Sequence, residues 1–158
     1  MNLAFLDSEV TSDYEVLDNV DAYPYFFGEE DIRYGLRENV KGNQLAKTPE
    51  FTADVSLMYE TDLPSGNYLT AMLQYVKRGK FMQRVSNNPV VDAIPGYDIV
   101  NLNIGIDFNN NIGLNMMLLN VTDEDGINSS MTDVFGVAST GLELIPPRQF
   151  MTRISYNF

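Results

Sequence analysis

Between residues 11 and 49 the chain gathers side chains that could recognise a ligand. Eight acids (Asp13, Glu15, Asp18, Asp21, Glu29, Glu30, Asp31 and Glu38) stand with four bases among Tyr14, Tyr23, Tyr25, Phe26, Phe27 and Tyr34. The densest part is Tyr23, Tyr25, Phe26, Phe27, Glu29, Glu30 and Asp31. Aromatic rings beside carboxylates suit a sugar or a cationic chelate, and connecting segments commonly carry binding residues. The plainer reading is a solvated segment whose rings pack on neighbouring loops. Asp123-Glu124-Asp125-Gly126 offers oxygen donors and a glycine turn of the kind hard cations use. The EF-hand spacing is absent, so the motif reads as a polar exit from a strand. Lys77, Arg78, Lys80 and Arg84 form a basic cluster that could meet an anionic surface or ligand, or simply balance the acidic segments.

Composition removes most catalytic chemistry. There is no histidine and no cysteine. That excludes disulfides, Cys/His zinc sites, Ser-His-Asp and Cys-His catalysis, and imidazole acid–base work. Paired carboxylates could run glycosidase chemistry, but nothing in the spacing holds two of them in one cleft. The chain is therefore expected not to be an enzyme, and to carry no cofactor and no metal. A net charge of -12 argues against nucleic acid, whose phosphates need clustered Lys and Arg.

These segments hang on elements with a period of two. In the last eleven residues Phe150, Thr152, Ile154, Tyr156 and Phe158 fall on one face and Gln149, Met151, Arg153, Ser155 and Asn157 on the other. Phe51–Glu60, Tyr68–Arg78, Tyr97–Phe108 and Ile112–Val121 alternate likewise, and a weaker first strand runs from Leu3 to about Val10. The alternation aims Arg153 to the polar side, where Asp107 or Asp54 could pair with it. Leu63-Pro64-Ser65-Gly66 and Asn109-Asn110-Asn111 read as tight turns. The other connections, roughly 11–49, 79–96 and 122–147, are long. Short turns at one end and long loops at the other are the layout of an outer-membrane barrel.

The expected fold is all-β: an antiparallel transmembrane β-barrel segment of about six strands from a larger barrel, with short periplasmic turns and long extracellular loops. Single-chain barrels start at about eight strands, and lipid tolerates no open sheet edge. No basic, apolar leader opens the chain, since Asp7 comes too soon. The expectation is a piece whose upstream part lies outside it. A soluble β-sandwich, such as a carbohydrate-binding module, could also supply six alternating strands. A small barrel formed by several copies of the segment is geometrically open as well.

Several short motifs, in order over residues 42–158, resemble the end of a TonB-dependent outer-membrane receptor. They are Gly42-Asn43-Gln44-Leu45-Ala46-Lys47-Thr48-Pro49, Pro95-Gly96-Tyr97-Asp98-Ile99-Val100-Asn101-Leu102, Asn120-Val121-Thr122-Asp123, and Pro146-Pro147-Arg148 followed by Tyr156-Asn157-Phe158. The resemblance implies a 22-stranded barrel with an N-terminal plug, of which residues 1–158 are the C-terminal portion, the plug and earlier strands being absent. It implies a bacterial outer-membrane location and import of a scarce ligand: an iron chelate, cobalamin or an oligosaccharide. The implied partners are outer-membrane lipid, the imported ligand, TonB through the missing N-terminal part, and the barrel-assembly machinery. Phe158, with Tyr156 and Ile154, would be the signal that machinery reads, an exposed strand edge pairing by β-augmentation.

Overall fold

The computed structural model describes residues 1–18, 37–132 and 139–158. The acidic, aromatic stretch Tyr23 to Asp31 lies outside the described residues. Among the described ones there are twelve strands and no helix. In chain order they are β1 (Asn2–Phe5), β2 (Glu15–Leu17), β3 (Arg37–Asn39), β4 (Phe51–Asp62), β5 (Tyr68–Arg78), β6 (Phe81–Met82), β7 (Ala93–Ile94), β8 (Tyr97–Asp107), β9 (Ile112–Leu119), β10 (Ile127–Thr132), β11 (Thr140–Leu144) and β12 (Gln149–Tyr156).

Six of them form one antiparallel sheet in the order β1-β4-β5-β8-β9-β12. These are the six strands expected from the alternation, four of them with nearly the same limits. The first is shorter than expected, ending at Phe5, and Ile112 ends at Leu119 rather than Val121. The remaining strands make three small hairpins, β2-β3, β6-β7 and β10-β11, one in each long connection.

The register decides which face each side chain joins. Leu57 lies opposite Leu73, Leu73 opposite Leu102, Leu102 opposite Leu118 and Leu118 opposite Phe150. Two residues along, Tyr59, Ala71, Ile104, Met116 and Thr152 form a parallel row, and Ile106, Leu114 and Ile154 extend the next. Every apolar series thus falls on one face, because side chains alternate strictly and a slip of one residue would invert a strand. Among the described residues no second layer covers that face: Leu57 is 70% and Ile154 74% exposed.

The buried apolar residues are elsewhere. Val40, Phe81, Ile94 and Ile145 lie in the long connections, and only Ala53 belongs to the sheet. A soluble sandwich needs the reverse, with the sheet face buried against a partner sheet.

The turn end of the sheet is built as expected. Leu63 N–H donates to the Asn67 carbonyl at 2.8 Å and Gly66, with φ of +80°, closes the same turn. Asn111 takes φ of +65° in the other, a conformation asparagine tolerates better than most residues. The turns touch each other through the Asn109 N–H and the Asn67 side-chain carbonyl, 3.2 Å apart.

Candidate functional site

The long connections are tied into one cap by polar knots. Arg84, two residues beyond β6, donates twice to Asp92, through Nε at 2.6 Å and Nη2 at 3.2 Å, and through Nη1 to Asp18 at 2.9 Å. Both carboxylates are fully buried. Among the described residues, neutral donors join the guanidinium around the two carboxylates. Ser86 Oγ and the Asn88 N–H reach Asp92 at 3.3 and 2.8 Å, and the Asn88 amide reaches Asp18 at 3.3 Å. Burial lowers the Arg84 pKa, the hydrogen bonds to Asp92 and Asp18 raise it, and the net shift is upward.

A second knot is neutral. Asn87, at φ +53°, accepts from the Gln44 N–H and returns its own amide to the Gln44 carbonyl, both at 2.9 Å. Beside it Asn43 donates to the Val85 and Ser86 carbonyls. Asn43 and Gln44 sit in the Gly42–Pro49 motif, so that motif clamps the first long connection onto the second.

The basic cluster expected from the sequence does not exist as a patch. Lys77 pairs with Asp98 at 3.0 Å across the β5-β8 ladder. Arg78 reaches the Asn128 carbonyl and side chain at 3.1 and 3.0 Å and lies 4.2 Å over the Phe81 ring. Arg84 is in the buried knot, and Lys80 alone stands exposed without a described partner. The plainer reading, cations balancing acids, holds for Lys77 and Arg84, while Arg78 meets neutral groups.

Asp123-Glu124-Asp125-Gly126 also resolves into structure. Asn120 and Asp123 adopt φ of +48° and +57°. The Asn120 amide donates to the Glu124 and Pro146 carbonyls at 3.0 and 3.1 Å, and its carbonyl accepts from the Glu124 N–H at 2.9 Å. The Asp123 carboxylate receives the Arg148 N–H at 2.9 Å and Nη2 at 3.2 Å. The Asn120–Asp123 and Pro146–Arg148 motifs therefore latch onto each other, and Gly126 lies where a Cβ would come within 2.8 Å of the Tyr97 ring. Among the described residues no group of three His, Cys, Asp or Glu could hold a metal ion.

On the sheet face opposite the apolar one, hydrogen bonds run from strand to strand. Gln74 donates to Asp54, Asn101 to Gln74, and the Asn120 N–H to Asn101, each at 3.0 Å. Arg153 is on this face but makes no ion pair with Asp107 or Asp54 among the described residues. Asp54 is held by Gln74 and Ser56, and Asp107 is two strands away, opposite Gly113.

The closing strand β12 is an edge, paired with β9 on one side only. Ile154, Tyr156 and Phe158 are all exposed on the apolar face, and the Tyr156 and Phe158 rings stand 6.4 Å apart. The Asn157 N–H donates to the Asn111 carbonyl at 2.9 Å, which brings the chain's last residues to the turn end.

An open antiparallel sheet with a bare apolar face, a polar ladder behind it, and turns and long loops at opposite ends defines a piece of membrane β-barrel wall. The sequence matches the TonB-dependent receptor-like β-barrel family over residues 6–121, and the chain belongs to that family. This is a family of outer-membrane receptors that transport ligands. The match takes in residues 6–41, for which the sequence suggested only a strand and a loop, and stops before Pro146. No curated protein matches the chain, and no solved structure does.

Proposed function

We propose that this chain is the C-terminal part of the barrel of a TonB-dependent importer in the bacterial outer membrane. The observation that carries the proposal is the in-register apolar face, exposed on β1, β4, β5 and β12 and half-buried on β8 and β9. In water such a face is a liability, and each Leu-sized side chain moved into lipid gains about 1.5–3 kcal/mol. The polar ladder then faces the lumen, the Ser65 and Asn110 turns face the periplasm, and the knotted loops face outside. The edges β1 and β12 support completion by further strands, since unpaired backbone groups are costly in lipid. In this reading the plug and the TonB contact go with those further strands. The imported ligand is of the scarce kind, an iron chelate, cobalamin or an oligosaccharide, and the sequence from Tyr23 to Asp31 is the candidate to meet it. Ile154, Tyr156 and Phe158 are the signal for the barrel-assembly machinery.

The chain has no cysteine, so single introduced thiols report sidedness cleanly. Gly141→Cys sits where a side chain meets nothing within 4 Å, and Ser65→Cys sits in a turn. In intact cells a membrane-impermeant maleimide should label the first and spare the second until the outer membrane is opened. Labelling of Ser65→Cys alone would invert the orientation, and labelling of neither in any membrane fraction would remove the outer-membrane reading.

A further inference from the structure

The register lines up a set of residues that the barrel reading does not use. On the polar face Met58 lies directly opposite Met72, Met72 opposite Asn103, Asn103 opposite Met117, and Met117 opposite Met151. Four of the chain's eight methionines thus stand in one row across five strands. They do so on the face otherwise carried by Asp54, Gln74, Asn101 and Asn115. Met58 is 59% and Met151 39% exposed, so these thioethers are not filling a core.

Directly opposed residues of an antiparallel pair hold their Cβ atoms about 4.5–5.5 Å apart. Two flexible thioethers projecting side by side from such a pair can converge on one ion. Met58 with Met72 and Met117 with Met151 are two such pairs, separated by Asn103. Thioether sulfur is a soft donor that selects monovalent copper or silver over harder divalent ions. With no cysteine or histidine in the chain, it is also the only soft donor here. We infer that the methionine row is a soft-cation site on the polar face of the sheet, taking Cu(I) or Ag(I) through the Met58–Met72 and Met117–Met151 pairs. The inference goes beyond ligand import, because it needs only that this face be open to water.

Silver is the convenient probe, being monovalent, soft and redox-inert. The full chain in detergent micelles is titrated with Ag(I), with Zn(II) and Cu(II) alongside. Bound silver should show sulfur neighbours by X-ray absorption. The double variant Met58→Leu/Met72→Leu should halve the silver bound per chain, and adding Met117→Leu/Met151→Leu should abolish it, since only the sulfur selects the ion. Leucine keeps the volume and apolar character, so the variants retain the fold, which circular dichroism checks. Met131→Leu, on the loop hairpin, should leave binding unchanged. Silver binding that survives all four substitutions, or zinc binding as tight as silver, would overturn the inference. So would silver lost in the Met131→Leu variant. An apolar docking surface, the competing role for such a row, would persist in the leucine variants and show no sulfur-bound silver.

Discussion

At the scale of single residues, Arg84 and Arg148 separate a structural charge from a peripheral one. Arg84 faces two buried carboxylates, whereas the Arg148–Asp123 pair is about half exposed on both sides. Removing one partner of a buried pair leaves an uncompensated charge and costs about 3–5 kcal/mol, while exposed pairs contribute about 1 kcal/mol or less. Arg84→Met should therefore collapse hydrogen-exchange protection of the Gln83, Asn88 and Asp92 amides, all three of which are bonded to Asp92 or Asn88. Arg148→Met should change protection only near Asn120 and Asp123. Equal effects would mean that the knot does not hold the loops. Phe158 belongs to the same scale. If its ring is what the assembly machinery reads, deleting it should sharply lower the folded fraction in the outer membrane, and Phe158→Tyr should largely restore it. Heat-modifiable gel mobility measures both.

At the scale of elements, β4 carries the test of the two faces. Leu57 and Ser56 are neighbours near the middle of the strand, one in the apolar row and one on the polar side. An arginine on the lipid face at mid-membrane costs about 2–4 kcal/mol, and a lumen position bears it at much less. Leu57→Arg should lower the urea midpoint of the chain in lipid vesicles markedly, and Ser56→Arg only slightly. Similar shifts from both would dissolve the assignment of faces. The same strand shows why elements were legible from sequence. Its alternation runs twelve residues, as does the pattern in β5 and β8 over eleven. Two of the loop hairpins escaped because β2 and β3 have three residues and β6 and β7 two, too few for any period to show.

At the scale of the whole molecule, the sheet has a centre and two edges. β5 and β8 are paired on both sides, β1 and β12 on one. In detergent micelles, amides of β5 and β8 should exchange slowest and those of β12 that point away from β9 fastest, since unpaired backbone opens first. Protection along both sides of β12 would mean that copies of the chain close a barrel among themselves. The loop end has the opposite character: the apolar residues that are buried, Val40, Phe81, Ile94 and Ile145, gather there with the polar knots. The molecule is therefore ordered at its cap by water-facing packing, and in its wall by a face left for lipid.

The sequence by itself determined the six sheet strands, their two faces and the tight turns, because each follows from neighbours one or two positions apart. Ile154, Tyr156 and Phe158 share a face by alternation alone, and Gly66 and Asn111 mark turns by their own backbone tolerance. Only the tertiary structure decided how the strands align. That alignment made the separate apolar stripes one surface and set four methionines in a row. It also decided the fate of the charges. Lys77, Arg78 and Arg84 are close in sequence, yet Asp98, Asn128 and Asp18, which they reach, lie 21, 50 and 66 residues away. Charge has no period, so nothing local to a basic residue announces which distant carboxylate or carbonyl the fold will bring to it.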